Sequence, residues 1–451
     1  MRKLIATSAC ITASVLAFAQ TNPAITSWLQ NTTVKGRHYV SGNSTAITDA
    51  SLTANVQSVQ YSANFVYATT QGIPSYVVGP YLDGNPSQAT NQNAIFKFPL
   101  TPVQNTATAV STTGGNIGVF INGAAMFDYR DGVSWKNSTG AYAGGPIGGM
   151  GDGVWNRDAI PAEKAGFDCS KGHPAMGNYH HHQNPSAFDL DLNVISTICN
   201  LYDADGLYAL DSTVHSPLIG FAYDGFPVYG AYAYKNTNGT GGIVRMKSSF
   251  SLRNITVRNT LYTGASVTAG PNVSTTYPLG TFKEDYQYIA PTASDYLDYH
   301  NGRFCVTPEY PAGTYCYFAT VDANWNSAYP YLVGPTFYGT KVAAKVTSIS
   351  ESVTTYTASS TGINSNSIND GKVNIFPNPA SDLIAIQIKD LVKENYDVVL
   401  YDVTGKVVEQ KTLYQGSTIV YFDTKTLYSG VYFVKIIVGD NVITKKIIIE
   451  K

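Results

Sequence analysis

A histidine-rich stretch between Gly166 and Phe188 offers the side chains best suited to metal chemistry. Four of the seven histidines in the chain lie within ten positions here: His173, His180, His181 and His182. Successive side chains of a strand point to opposite faces, so His180 and His182 should share one face while Tyr179 and His181 occupy the other. Imidazole nitrogens suit zinc, copper, iron and nickel, and His173, in a Gly-His-Pro turn, would supply a third donor. The spacing predicts a transition-metal site, with zinc or copper as the candidate ions.

Two other readings of the cluster stay open. The histidines could serve a metal-free catalytic or ligand-binding site, because perturbed polar clusters often mark function. They could also be structural members of a hydrogen-bonded network in a tyrosine-rich core.

Two further stretches, rich in aromatic and ionisable residues, supply additional candidates for metal ligands and catalytic residues. An aromatic run is interrupted by Asp-Gly at 224–225, a strong hairpin signal, which would hold His215 and Asp224 on a rigid scaffold. His215 is the fourth candidate metal ligand, and Glu309, in the stretch that follows His300, is a candidate catalytic carboxylate together with Asp224. The candidates for side chains that surround and orient the ligands are Tyr179, His181, Asp224 and Tyr229.

Composition narrows the class of protein. Of 451 residues 13% are charged and the net charge is −2, with 33 tyrosines against 29 lysines and arginines. This balance offers no electrostatic footprint for nucleic acid. Beta-branched and aromatic residues, with 40 glycines and 21 prolines, favour short strands joined by turns. The expected fold class is all-β, or strand-dominated, with a β-rich main body and a small C-terminal β-sandwich.

The first nineteen residues have the form of a secretory signal peptide. A basic start precedes an apolar stretch from Leu4 to Phe18 and an Ala-x-Ala pattern that ends at Ala19. No later run approaches the roughly 18 apolar residues of a membrane-spanning helix, so no transmembrane helix is expected. The sequence therefore predicts an exported protein.

The cysteines fit an exported protein. Removal of the signal takes Cys10 and leaves Cys169, Cys199, Cys305 and Cys316. Four cysteines allow three disulfide connectivities. We favour pairing of neighbours, Cys169 with Cys199 and Cys305 with Cys316. The alternative is that Cys169 joins the histidines as a metal ligand, although an oxidising exterior disfavours free thiols.

Changes in composition divide the chain into segments. A β-rich body is expected over residues 20–340, followed by a linker rich in serine, threonine and asparagine over 341–370. Alternating strands with turns at Thr404-Gly405 and Gly439 to Asn441 predict a small β-sandwich over 371–451.

The body resembles the YHYH domain family, which is named for a tyrosine–histidine repeat. The resemblance covers about residues 114–338 and is carried by Tyr179 to His182, Gly172 to Pro174, Ser216 to Gly220, Asp224 to Gly230, Asn301 to Arg303 and Thr307 to Pro311. His181 stands where the family name has its second tyrosine, so this position departs from the pattern. The family is a class of exported bacterial proteins without an established reaction, so the resemblance implies a site neighbourhood and no particular chemistry.

The last unit closely resembles the C-terminal sorting domain of the type IX secretion system of Bacteroidetes. The segments that carry this resemblance are Val373 to Ala380, Leu400 to Lys406 and Gly430 to Lys435. The resemblance implies that the type IX machinery is a partner and that the protein is secreted or held at the cell surface. It also implies that the tail is removed or linked to the surface after export.

Two functions from different classes fit these patterns. The first is an exported metalloprotein, and if it is an enzyme, zinc would suit hydrolysis whereas copper or iron would suit an oxidoreductase. The second is a surface binding or adhesion module for an extracellular small molecule or polymer. In that case exposed aromatics, including Trp135, Trp155 and Trp325, would stack on the ligand and the histidines would be structural.

Overall fold

Strands joined by turns account for most of the regular structure, as the composition predicts. The computed structural model describes residues 22–39, 46–81, 88–168, 170–185, 212–342, 345–357, 373–388, 395–403, 405–414, 417–438 and 441–451. Within these ranges the protein is strand-dominated, which confirms the predicted all-β class. No helix in this described part of the chain is long and apolar enough to cross a membrane.

The described elements are two short α-helices, several 3₁₀ turns and many strands. The helices are α1 (Pro23–Thr26) and α2 (Ala159–Glu163), and 3₁₀ turns lie at Gly145–Ile147, Lys164–Gly166 and Lys283–Asp285. The first strands are β1 (Lys35–His38), β2 (Ile47–Thr53), β3 (Val56–Tyr61), β4 (Phe65–Thr70), β5 (Val77–Val78) and β6 (Ala94–Pro99). The central strands are β7 (Asn116–Phe120), β8 (Ala125–Phe127), β9 (Arg130–Lys136), β10 (Ala141–Gly144), β11 (Asn156–Asp158), β12 (His173–Ala175), β13 (Asn178–His181), β14 (Leu218–Ala222), β15 (Pro227–Tyr229), β16 (Tyr232–Tyr234), β17 (Ile243–Arg245), β18 (Phe250–Leu252), β19 (Tyr286–Tyr288), β20 (Gly302–Cys305) and β21 (Thr314–Phe318). The last strands are β22 (Lys345–Val346), β23 (Thr354–Tyr356), β24 (Val373–Phe376), β25 (Leu383–Ile388), β26 (Tyr396–Asp402), β27 (Val407–Leu413), β28 (Ile419–Asp423), β29 (Gly430–Val438) and β30 (Asn441–Ile449).

Two sheets form the centre of the first unit, which spans Met1–Thr357. The larger has the order β12-β13-β8-β7-β14-β15-β21-β20, and the smaller has the order β22-β6-β4-β3-β23. Their apolar faces share one buried core, in which the ring centroids of Phe98 (β6) and Phe221 (β14) lie 6.1 Å apart. Trp28 contacts both rings, at 5.6 and 5.3 Å. The larger sheet thereby fixes the histidine-bearing strands against a rigid core.

The first unit extends beyond the boundary predicted at residue 340. Within the predicted linker, β22 pairs with β6 and β23 pairs with β3, so both short strands belong to the body sheet. β22 and β23 are short strands at the two edges of the sheet and carry few apolar residues, which explains why the composition resembled that of a linker.

The second unit, Ala358–Lys451, has its own core. It contains one sheet of order β24-β25-β28 and another of order β27-β26-β29-β30. Ile384 and Ile386 from the first sheet and Leu400 and Val434 from the second share one buried cluster. The two sheets therefore pack face to face, as predicted for a small β-sandwich.

The predicted disulfide between Cys305 and Cys316 is not formed in the structure. Both cysteines are free, buried thiols on the neighbouring strands β20 and β21. The register pairs Arg303 with Cys316 and Cys305 with Thr314, so the two cysteines are diagonal neighbours and do not face each other directly. The other predicted pair, Cys169 with Cys199, and the alternative role of Cys169 as a metal ligand lie outside the described residues.

Candidate metal centre

A tight hairpin places the first two histidines opposite each other. Strands β12 and β13 are joined by Met176 and Gly177, which both have positive φ, at 49° and 83°. Two residues with positive φ are typical of the type I′ hairpin turn. The register that follows pairs His173 directly with His180, and their ring centroids lie 4.6 Å apart. Directly opposed side chains of a pair lie on the same face of a sheet.

Alternation along β13 brings in the third histidine. His182 lies two residues beyond His180, and their Nε2 atoms are 3.2 Å apart. On the opposite face the Tyr179 hydroxyl donates to Asp168 Oδ2 at 2.8 Å, and His181 Nε2 lies 2.8 Å from the Tyr76 hydroxyl. The predicted alternation is confirmed: two imidazoles share one face, while Tyr179 and His181 belong to a separate network behind them.

The three histidines converge on one point. One ring nitrogen from each of His173, His180 and His182 lies within 4.8 Å of the others, and all three residues are buried. His180 Nδ1 faces the carbonyl oxygen of Asn178 at 2.9 Å, and His182 Nδ1 faces that of Asp128. Because a carbonyl oxygen only accepts, each Nδ1 carries the proton and each Nε2 lone pair points inward. This is the arrangement in which histidine binds a metal while its other nitrogen is held in place.

Glu163 is a fourth member of the site, which sequence reasoning missed. It is the last residue of α2, whose first turn is capped by the Asp158 side chain through the amide of Ile160. Glu163 Oε2 lies 3.0 Å from His182 Nε2 and 3.3 Å from His173 Nε2. Neither contact has hydrogen-bond alignment, so Glu163 Oε2 and His173 Nε2 are buried without a hydrogen-bond partner among the described residues. Glu163 precedes the histidines by only a short segment of sequence, but neither the period of a helix nor that of a strand relates its side chain to theirs.

The ionisable side chains of the site shift one another's pKa values. Burial opposes ionisation of Glu163, yet the neighbouring imidazoles of His173 and His182 outweigh it and hold the pKa of this carboxyl below its ordinary range. Burial, reinforced by His173 and His182, lowers the pKa of His180 well below its ordinary value. For His182 burial is outweighed by Glu163, and its pKa is raised. The site thus sets an anionic carboxylate against a neutral imidazole, a donor set suited to a cation.

The residues around the site hold the hairpin in place. Asp168 accepts hydrogen bonds from the amides of Ser170 and Gly172 at 2.9 and 3.0 Å, and this loop leads directly into His173. A side chain at Gly172 would collide with the Tyr179 hydroxyl, so this close approach requires glycine. Phe127 stacks on the His180 ring at 3.6 Å and forms one wall of the site.

His215, Tyr229 and Glu309 form a separate cluster. The Tyr229 hydroxyl lies 2.8 Å from Glu309 Oε2, and the Tyr229 ring lies 5.2 Å from that of His215. Tyr229 is on β15, four strand positions from β13 in the sheet. Four spacings place it roughly 19 Å along the sheet from the three histidines. The structure therefore brings together His173, His180 and His182, and it places His215 and Glu309 elsewhere.

Asp224 anchors a turn instead of facing the histidines. Its Oδ2 accepts hydrogen bonds from the Tyr317 hydroxyl at 2.6 Å and the Gly339 amide at 2.7 Å. Burial raises the pKa of this carboxyl to about 6, although these hydrogen bonds oppose the shift. Asp224 thus ties the β14–β15 turn to β21 and to the segment that follows it.

The aromatics proposed for an adhesion surface lie mainly in the interior. Trp155 is 1% exposed and Trp135 is 7% exposed, and both belong to one buried cluster with Phe282. Trp155 Nε1 also donates to the carbonyl oxygen of Thr268 at 2.8 Å. Trp325 is half-buried, and its Nε1 donates to the Tyr232 hydroxyl. Neither Trp135 nor Trp155 can stack on a polymer from this position, which removes the main support for that alternative.

Comparison with known proteins identifies both parts of the chain. No curated protein matches it at a significant level. The family described as YHYH protein matches residues 95–330, which is just over half of the 451 residues. The secretion system C-terminal sorting domain matches residues 374–450. The protein is therefore secreted or held at the cell surface through the type IX system, whose machinery it must contact. The chain belongs to the YHYH protein family and ends in a secretion-system sorting domain.

Proposed function

We propose that this exported protein binds a transition metal ion through His173, His180, His182 and Glu163. The observation that carries the proposal is the 3.2 Å separation of the Nε2 atoms of His180 and His182, whose Nδ1 atoms both face carbonyl oxygens. Two lone pairs at that distance repel each other unless a positive charge lies between them. Either a proton or a metal ion can supply that charge.

The distances favour a metal ion. Four donors placed about 2.05 Å from a tetrahedral ion are separated from one another by about 3.3 Å. Three of the six separations between donor atoms are close to this value, at 3.2 Å for His180 with His182, 3.0 Å for Glu163 with His182 and 3.3 Å for Glu163 with His173. The three histidine nitrogens as a set lie within 4.8 Å of one another. A shared proton would account for one such contact, whereas the buried Glu163 Oε2 lies close to two imidazole nitrogens at once and makes no hydrogen bond with either of them.

Three imidazoles and one carboxylate suit several ions. Zinc, copper, iron and manganese all accept this mixture of nitrogen and oxygen donors. A zinc ion with a free coordination position would activate water for hydrolysis, whereas copper or iron would support redox chemistry.

Metal analysis of the purified full-length protein tests the proposal. We expect about one transition-metal ion per chain, lost together with thermal stability on treatment with a strong chelator. His180→Ala and His182→Ala should abolish metal binding, while His215→Ala, a matched change in the other cluster, should leave it intact. A protein that binds no stoichiometric metal from any of these ions, and is equally stable in chelator, contradicts the proposal.

A further inference from the structure

A cluster of buried aromatic side chains begins at the wall of the metal centre. The ring of Phe167 lies 4.8 Å from that of His173 and stacks 6.2 Å from that of His182. Phe167 belongs to one contiguous buried cluster with Tyr129, Tyr329 and Tyr331. Among these tyrosines, Tyr329 lies 5.1 Å from Tyr129 and 5.8 Å from Tyr331 between ring centroids.

The contacts continue from this cluster towards solvent. Tyr286 stacks on Tyr329 with centroids 4.1 Å apart and planes 8° from parallel. Tyr286 and Tyr288 lie two residues apart on β19 and therefore share a face. Tyr288 lies 5.2 Å from Tyr299, and Phe250 contacts the rings of Tyr329, Tyr288 and Tyr299. Tyr262, which interacts with Tyr299, is 45% exposed. Tyrosine rings, together with those of Phe167 and Phe250, thus lead from the surroundings of the histidines towards the surface.

A buried carboxyl group stands beside the inner tyrosines. The Tyr331 hydroxyl donates to Asp158 Oδ2 at 2.7 Å, and burial, followed by the charge of the same carboxyl, raises the pKa of Tyr286. Asp158 is fully buried. A phenol loses an electron far more readily when its proton can leave at the same time. Burial raises the pKa of Asp158 to about 8, so the carboxylate that can take the proton of Tyr331 is present mainly above that pH.

We propose that Tyr331, Tyr329 and Tyr286 form an electron relay between the histidine site and the protein surface, which rests on the proposed function because it requires a redox-active ion there. A redox-active ion held by His173, His180, His182 and Glu163 would accept one electron from Tyr331 and would itself be reduced by one unit. When Asp158 is ionised, the phenolic O–H bond breaks and the proton moves to Asp158 Oδ2, which leaves a neutral phenoxyl radical and a neutral carboxylic acid. An electron then returns through Tyr329 and Tyr286 from a one-electron donor such as a phenol at the surface, and the proton returns to Tyr331.

Core packing alone does not account for this arrangement. Phenylalanine would fill nearly the same volume at these positions without a buried hydroxyl, which costs stability unless it finds a partner. The three relay positions nevertheless carry tyrosine, and the Tyr331 hydroxyl donates to the buried carboxyl of Asp158. The relay also favours copper or iron over zinc at the histidine site, because zinc has no accessible second oxidation state.

The first test needs no metal. The metal-free full-length protein is flash-oxidised with ruthenium tris(bipyridine) and a sacrificial electron acceptor, and frozen samples are examined by electron paramagnetic resonance. We expect a trapped tyrosyl radical that disappears in the Tyr286→Phe/Tyr331→Phe double variant. Tyr61→Phe, a matched change in the main core, should retain the signal. An undiminished radical in the double variant overturns the relay.

The second test measures electron transfer to the metal site. The protein is loaded with Cu(II), hydroquinone is added, and loss of the Cu(II) resonance is followed in time. Tyr329→Phe should slow this reduction roughly tenfold or more, whereas Tyr61→Phe should not. Reduction of Tyr329→Phe at the wild-type rate also overturns the relay. If the wild-type protein binds no copper, the proposed function fails for this ion, and the flash-oxidation result alone decides the relay.

Discussion

At the scale of single residues, the proposed metal centre depends on where four candidate donor atoms point. The backbone sets the direction of two of them, because the carbonyl oxygens of Asn178 and Asp128 hold His180 and His182 with Nε2 inward. Glu163 differs, since it approaches from a helix and is close to two imidazoles without a hydrogen-bond alignment to either. A conservative substitution of Glu163 can therefore test the contribution of its carboxylate to metal binding separately from that of the histidines.

Glu163→Gln should weaken metal binding without unfolding the protein. The amide keeps the shape of the side chain but loses the negative charge, which reduces attraction to the cation. We expect metal affinity to fall by roughly tenfold to a hundredfold, measured by titration against a competing chelator. Glu309→Gln makes the same chemical change in the Tyr229 cluster and should leave the affinity unchanged. Equal affinities for Glu163→Gln and the wild-type protein would show that Glu163 is no ligand.

The sequence predicts those proposed ligands that are related by local geometry. His180 and His182 follow from the two-residue period of a strand, and a Gly-His-Pro turn offers His173 as a third donor. The hairpin register that places His173 opposite His180 is seen only in the structure. Glu163 could not be predicted in this way, because it lies on a helix whose position depends on packing against other elements. Nor could the remoteness of His215 and Glu309, which is set by the order of strands in the sheet.

At the scale of secondary-structure elements, turns are more predictable than strand order. The Asp224-Gly225 pair predicts a hairpin, and the structure has β14 and β15 paired across it. The neighbours of that hairpin are β7 and β21, which are distant in sequence, and local pattern gives no information about them. For this reason Asp224 could not be predicted to contact Tyr317 and Gly339.

Asp224 should make the stability of the body depend on pH. Its folded-state pKa of about 6 lies above the ordinary value, so the folded protein holds this proton more tightly than the unfolded chain. The stability that the group contributes is therefore full below about pH 4 and is lost as pH rises through about 6, by roughly 3 kcal/mol at most. Asp224→Asn keeps an acceptor for Tyr317 and Gly339 but cannot ionise. We expect its free energy of unfolding, measured by urea titration, to increase relative to the wild-type value as pH rises from about 4 to about 7.

Asp49→Asn provides a control of opposite sign. Hydrogen bonds from Ser51 lower the pKa of Asp49, so this group contributes stability above its unfolded pKa and loses it as pH falls. The free energy of unfolding of this variant should therefore fall relative to that of the wild-type protein as pH rises towards about 4, and the difference should stay constant between about pH 4 and pH 7, where that of Asp224→Asn rises. If the free energies of unfolding of Asp224→Asn and the wild-type protein differed by a constant amount between about pH 4 and pH 7, this would contradict the assignment of a raised pKa to Asp224.

At the scale of the whole molecule, the chain is divided into a body and a sorting domain with separate cores. The body core joins the five- and eight-stranded sheets, and the sorting domain buries its own cluster around Ile384, Leu400 and Val434. The sequence predicts this division from a change in composition, although β22 and β23 show that the body continues through part of the polar stretch. Edge strands with few apolar residues cannot be distinguished from a linker by composition alone.

Deletion of residues 358–451 should separate export from metal binding. The body retains its complete core, so it should fold and bind metal with the same stoichiometry as the full-length protein. Without the sorting domain, however, it should remain in the cell envelope instead of reaching the surface or the medium, as cell fractionation and immunoblotting would show. Fusion of residues 358–451 to a periplasmic reporter should cause that reporter to be exported to the cell surface or the medium. If the truncated body appeared outside the cell at the full-length level, export would have to depend on the body itself, and the division of labour between the two units would be wrong.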